Sequence, residues 1–328
     1  MLHKRPIVVE SDTQSAGGGL TLIRRGTHSL LTVLACLLLT TAPVIRTHQS
    51  TQLSGLVEDA VRLDQPSAAA RFDALLSLLD DRGLAYEIET FPNDRSEDVD
   101  PTNGRNIVVT VGSGERDIVI GAHADAAILL DGSLSHAMID NAAAVVVLIR
   151  LAQALQHHEL QHRVKLVFFD LEELNLLGSK YFATTMNRHG IAGMINLDIV
   201  GYGDTLIYGP AAADGNSALY TSIHQICAYS EHQCLEFPSF PPSDDRSFQA
   251  AGIPNISLAT LPRLEAHQLW LLLNANNASS GLDSNFIPPI LRTIHSPDDT
   301  VDKLDPTSMT LAYKMVLDLV LEFDQITR

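Results

Sequence analysis

Five short stretches of this chain place His, Asp and Glu where an apolar run has just ended or is about to begin. Gly121-Ala122-His123-Ala124-Asp125 follows the apolar Ile118-Val119-Ile120. Ile139-Asp140-Asn141 comes directly before the apolar segment Ala142 to Leu155. Phe168-Phe169-Asp170-Leu171-Glu172-Glu173-Leu174 closes a third apolar run, and Asn196-Leu197-Asp198 closes a fourth. The fifth is Thr293-Ile294-His295-Ser296-Pro297-Asp298-Asp299. Singly, each has an ordinary explanation. A Glu pair at a helix start complements the helix dipole, and an Asp before a helix caps it. Together, five charged islands at buried element ends carry a desolvation cost with nothing to offset it. A pair of metal cations supplies the offset. Imidazole and carboxylate donors suit zinc, and a catalytic zinc keeps one position open for water. Two neighbouring ions lower the pKa of a shared water and clamp a developing oxyanion. A nearby carboxylate then moves the proton. The chemistry indicated is metal-assisted hydrolysis.

The elements that would position these groups alternate between strand and helix. Ser54 to Leu84 has helical spacing, interrupted at Gln65-Pro66, with Gly83 where a C-cap belongs. Tyr86 to Phe91, Ile107 to Val111, Asp117 to Gly121, Val164 to Phe169, Met194 to Leu197 and Ile253 to Leu258 are expected strands. Ala142 to Leu155 and Leu311 to Phe323 are expected helices. This pattern predicts a single α/β domain over 51–328, with a central, mostly parallel sheet flanked by helices on both faces. In such sheets ligands bind beyond the carboxyl ends of the strands. The islands at His123, Glu172 and Asp198 sit there. Arg263 to Arg292 is mixed in character, and reads either as a capping insertion or as a surface helix and loop.

The composition narrows the partners. With 22 Lys and Arg against 39 Asp and Glu, the formal net charge is −17, which disfavours nucleic acid and anionic membranes and leaves peptides open. There are 3 cysteines and no CxxC pair, so any zinc must be held by His, Asp and Glu. Cys227 and Cys234 are close enough to close a short disulfide loop, or are two free buried thiols. Arg24, Arg25 and His28 precede the apolar run from Leu30 to Ile45. This run is short for a membrane span, and makes 1–50 a targeting segment, either a signal peptide or an N-terminal membrane tether. The expected location is outside the cytoplasm.

The order and local sequence of the five islands resemble the M28 family of di-zinc aminopeptidases. Phe168 to Leu174 with Leu177-Gly178-Ser179, Asn196-Leu197-Asp198 with Val200-Gly201, Gly252-Ile253-Pro254, and His295 to Thr300 carry the resemblance. It implies two zinc ions per chain and peptide substrates cut at a free N-terminus. Asp140 would bridge the ions, one also held by His123 and Asp198, the other by Glu173 and His295. Glu172 would be the general base, and Asp125 would orient His123. Two departures stand out. Leu134 to Ile139 replaces the family's usual approach to the bridging residue. Ser243-Asp244-Asp245 replaces a usual Ser-Asp-His, so a substrate-pocket histidine is missing. His136 reads better as a loop histidine than as an extra ligand. Phe240, Phe248 and Trp270 are candidate pocket walls, although such residues are more often ordinary core.

Three rivals remain. The M20 carboxypeptidases and deacylases use a similar ligand order, but usually insert a dimerisation domain where Asp198 and His295 are only about a hundred residues apart here. A glutaminyl cyclase would use one zinc without needing His123. A binding module on a decayed peptidase fold would not retain Glu172.

Overall fold

The computed structural model describes residues 55–93, 103–186, 188–210, 217–275, 281–283 and 285–327. The targeting segment expected over 1–50 lies outside them. Two helices come first, α1 (Leu56–Val61) and α2 (Ala68–Asp81). Ser67 starts α2 by accepting from the Ala70 N–H, and Gly83 leaves it with φ of 66°. Then follow β1 (Glu87–Pro92), β2 (Asn103–Val111), β3 (Asp117–His123), α3 (Ala143–Leu155), β4 (Arg163–Phe169), α4 (Leu177–Thr185) and β5 (Ile191–Leu197). The second half contributes β6 (Thr205–Gly209), α5 (Ala218–Tyr229), β7 (Gln233–Glu236), α6 (Asp245–Ala250) and β8 (Asn255–Leu261). It closes with α7 (Arg263–Asn274), α8 (Ile290–Thr293) and α9 (Pro306–Ile326).

The strands form one sheet in the order β1-β2-β4-β3-β5-β8-β6-β7. The central four, β4, β3, β5 and β8, run parallel to one another. The flanks are mixed. β1 and β2 run antiparallel on one side, and β6 runs antiparallel to β8 on the other. Sequence reading missed β6 and β7, because they are short and the half-buried β7 has no apolar run.

Every residue of β3 is buried, which is why its sequence is a continuous apolar run rather than an alternation. Ile118, Ile120 and Ala122 enter the larger core shared with α2, α3 and α9. Val119 points to the opposite face, where Phe169, Phe182 and Phe248 pack. Gly121 permits that packing, since a Cβ there would lie 2.4 Å from the Phe169 ring. The segment Met138–Leu155 is apolar enough to cross a bilayer, yet 94% of it is buried inside the domain, as a core helix would be.

Phe240 and Phe248 are core side chains. Trp270, on α7, packs partly buried against the cluster that holds Phe237 and Phe240 and donates its indole N–H to the Glu236 carbonyl at 2.9 Å. The aromatic pocket walls suggested by the sequence are therefore packing residues. The segment from Arg263 is a helix whose Ala266 and Leu269 pack on the β6 and β8 side of the sheet. Cys227 and Cys234 are joined as a disulfide between the end of α5 and β7, with Cα atoms 5.8 Å apart.

Candidate metal centre

Three parallel strands deliver the site. β3 ends on His123, paired in register with Phe169 at the end of β4. Asp198 follows the last residue of β5. Beyond β4 the chain must turn sharply to present two adjacent glutamates. Leu171 takes φ of 57°, and the Asp170 carboxylate accepts from the Arg105 and Leu171 N–H groups at 2.8 and 3.0 Å. Gly178 closes the turn, its N–H donating to the Asp170 carbonyl at 3.0 Å. A Cβ at Gly178 would lie 2.4 Å from both Asp170 O and Asn106 Oδ1, so the Leu-Gly-Ser pattern has a packing cause.

Asp125 accepts the backbone N–H groups of Glu172 and Glu173 at 3.2 and 3.1 Å. Its Oδ1 also lies 3.4 Å from His123 Nδ1. One carboxylate thus orients a histidine and both glutamates, beyond the single role assigned to it from the sequence.

Asp140 comes from the wide turn Met138–Ala142 that leads into α3, where it and Asn141 have non-helical backbone angles and are joined by a cis peptide bond. Asp299 holds this turn. Its Oδ1 accepts from Ile139 N at 2.7 Å and its Oδ2 from Asp140 N at 3.1 Å. Arg71 holds it from the other side. Its buried guanidinium donates to the carbonyls of Ala124, Leu63, His136 and Ala137. That ties the His123 loop, the Asp140 turn and the start of α2 together.

These supports bring the seven predicted residues to one place, and the geometry divides the ligands in two. His123 Nε2 lies 2.9 Å from Asp140 Oδ1 and 3.5 Å from Asp198 Oδ1. His295 Nε2 lies 3.0 Å from Asp140 Oδ2 and 3.1 Å from Glu173 Oε2. The two oxygens of Asp140 therefore face different partners. Ligand atoms of His123, Asp140 and Asp198 fall within 4.8 Å of one another, as do those of Asp140, Glu173 and His295, and those of His123, Glu172 and Glu173. His136 is elsewhere, with Nδ1 on the surface carboxylate of Asp64 at 2.9 Å.

The donor set fits a divalent metal such as zinc: nitrogen and oxygen atoms only, mostly buried. Glu173 Oε1 and Asp198 Oδ1 are buried without a hydrogen-bond partner. The proton affinities show the same shortage of positive charge. Burial pushes Glu172 up to about 10 and raises Glu173 as well. Hydrogen bonds to Asp140 and Glu173 lift His295 to about 11. Burial alone would lower His123, but its carboxylate partners carry it well above the usual imidazole range. Burial would likewise raise Asp140, yet the two imidazoles hold it well below the usual carboxylate range. Shifts in these directions mark an excess of buried negative charge, which a bound cation would offset.

The model of peptidase family M28 matches residues 106–320. The chain belongs to that family. Among curated proteins, a probable leucine aminopeptidase of Arthroderma otae is 26% identical over 229 residues, which span 64% of this chain and 55% of that protein. One from Trichophyton verrucosum is 25% identical over 227 residues, with the same shares covered. This M28 chain thus spans about half the length of the curated relatives it matches. Among solved structures, a zinc aminopeptidase from Bacillus subtilis aligns with a TM-score of 0.51 and 18% identity, over 67% of this chain and 50% of that one. A glutaminyl cyclase from Porphyromonas gingivalis aligns with a TM-score of 0.59 and 19% identity, over 83% of this chain and 96% of that one. At these identities the likeness is one of fold, and it places the M28 chain among zinc-exopeptidase α/β folds.

Sequence reading missed three contributors. Arg71 and Asp299 act through backbone groups, which no side-chain pattern encodes. Asp244 stands beside Asp245, which occupies the place of the missing pocket histidine, and is fully buried. Burial pushes its carboxyl up to about 7, against the pull of nearby His123. The adjacent Asp244-Asp245 pair was the available signal.

Proposed function

We propose that this M28 family member is a zinc-dependent aminopeptidase that binds two ions and releases the N-terminal residue of unblocked peptides. The observation that carries this reading is the division of Asp140, whose two carboxylate oxygens face His123 and His295 separately. His123, Asp140 and Asp198 would hold one zinc, and Asp140, Glu173 and His295 the other. Bound there, the ions would make water acidic and offset negative charge developing on the scissile carbonyl oxygen. The chain's own groups do the rest. Asp125 accepts from the N–H groups of Glu172 and Glu173 and so holds the backbone of both glutamates relative to His123. Glu172, which no assigned ion requires, takes a proton from the attacking water and passes it to the leaving amine. We also propose that the protein works outside the cytoplasm, which the Cys227–Cys234 bond supports, since such bonds persist in oxidising compartments.

The test is a pair of peptides identical except for N-terminal acetylation, analysed by mass spectrometry with wild-type and Glu172→Gln protein. The wild type should release the first residue from the free peptide alone. Glu172→Gln should retain metal and lose roughly two to four orders of magnitude in turnover. Cleavage of the acetylated peptide would refute the aminopeptidase reading, and cyclisation of N-terminal glutamine without hydrolysis would replace it with a cyclase. A Glu172→Gln protein that loses metal instead would show that the roles of Glu172 and Glu173 are exchanged.

A further inference from the structure

We infer that a cavity at the Glu173 and His295 end of the site receives an apolar side chain from the peptide residue on the leaving-group side of the cleaved bond. The inference rests on the aminopeptidase reading and extends it to the second residue of the substrate. The cavity measures about 360 Å³, and Glu173 and His295 form one edge of it. Ala127, Ile128, Leu134, Leu171 and Leu174 supply its apolar wall. Its other two carboxylates are already engaged by backbone N–H groups, Asp125 with Glu172 and Glu173, and Asp170 with Arg105 and Leu171. A charged or strongly polar guest would therefore find few free partners, whereas an apolar one would cover exposed hydrocarbon.

Part of that hydrocarbon is now open to water. Ile128 is 55% exposed. It bridges to Leu134 in a small hairpin, held by Leu129 N to Ser133 O and Ser135 N to Ala127 O, both at 2.8 Å. Asp131 braces the turn by accepting from Ser133 N at 3.0 Å. The hairpin thus holds its aliphatic residues at the rim without burying them.

Orientation is set by placing the substrate's amine at the Asp198 end. Beyond the His123 end, Asp244 and Asp245 are fully buried. They are joined to the end of β5, just before Asp198, through Asn196 Nδ2 to Ser243 Oγ at 3.0 Å and Ser243 N to Asp245 Oδ1 at 3.1 Å. Asp198, at that end, keeps one carboxylate oxygen without a hydrogen-bond partner, and the cationic α-amine of a substrate is placed against it. The scissile bond then lies across the site, and the next residue extends over Glu173 and His295 into the apolar cavity. The cavity borders neither Asp198 nor His123.

The test compares kcat/KM for Leu-Leu, Leu-Phe, Leu-Gly and Leu-Asp on zinc-loaded wild-type protein, so its first arm needs no variant to fold. Burial of a Leu or Phe side chain should favour the first two dipeptides by roughly tenfold to a hundredfold, mainly through KM. Ile128→Asp, at an exposed rim position, should collapse that ratio, and the conservative Ile128→Val should keep most of it. Equal rates for all four dipeptides, or a preference that Ile128→Asp leaves intact, would overturn the inference while leaving the aminopeptidase reading standing. Failure to cleave any of the four, with turnover of acetylated or cyclisable peptides instead, would overturn both.

Discussion

Replacing Asp299 by asparagine should weaken both ions without removing a single ligand. Asp299 is fully buried and accepts two N–H groups, from Ile139 at 2.7 Å and from Asp140 at 3.1 Å. Asparagine keeps one acceptor oxygen and turns an NH2 toward the other N–H. A hydrogen bond to a charged group contributes about 1.5–3 kcal/mol. At about 1.4 kcal/mol per tenfold, the turn that carries Asp140 should leave its ligand-ready position with a penalty of roughly tenfold to a hundredfold. That agrees with the scale for partners that orient metal ligands. Because the two oxygens of Asp140 serve different triads, neither ion should escape. A chelator competition titration, with metal counted per chain, measures this. Affinity within threefold of wild type, together with a lowered melting temperature, would refute the reasoning and make Asp299 a staple of the fold alone. Loss of one ion only would refute the bridging role of Asp140.

Three further outcomes follow from the same geometry. Asp140→Ala should abolish binding of both ions, whereas His123→Ala and His295→Ala should each leave one, as read by elemental analysis of purified protein. Arg71→Met strands four backbone carbonyls in a buried setting, and should destabilise the fold by about 3–5 kcal/mol in denaturant titration; a loss under about 1 kcal/mol would mean that water replaces the guanidinium. The Cys227–Cys234 bond closes a loop with a sequence separation of 7, so Cys227→Ser with Cys234→Ser should lose roughly 2.5 kcal/mol of stability while metal content stays unchanged; alkylation of both thiols in unreduced wild-type protein would show that the bond does not form.

Much of this molecule is legible in the chain. Strands buried on both faces carry long apolar runs, so the charged residues that follow Ile118-Val119-Ile120 or Leu166-Val167-Phe168-Phe169 mark a carboxyl end facing the site. That is why His123, Glu172, Glu173 and Asp198 stood out as candidates, whose roles the family resemblance then implied. The breaks at Gln65-Pro66 and Gly83 were legible too, since ring closure and left-handed backbone are properties of single residues. What the chain could not disclose is which groups meet. Asp299 and Ile139 are 160 residues apart, and Asp299 works on a backbone N–H that every residue but proline offers. The same holds for Arg71, whose partners are all carbonyls. Phe240, Phe248 and Trp270 were eligible as pocket walls because an aromatic ring lines a pocket or fills a core with the same chemistry, and only packing decides between them. The apolar cavity reverses that case. Its wall is assembled from Ile128 and Leu134 on a hairpin and Leu171 and Leu174 on the glutamate turn, aliphatic residues whose spacing in the chain carries no period. Local sequence sets where backbone can be extended, helical or left-handed. The pairing of distant surfaces decides where an oxygen of Asp140 points, because that depends on every contact that holds its turn.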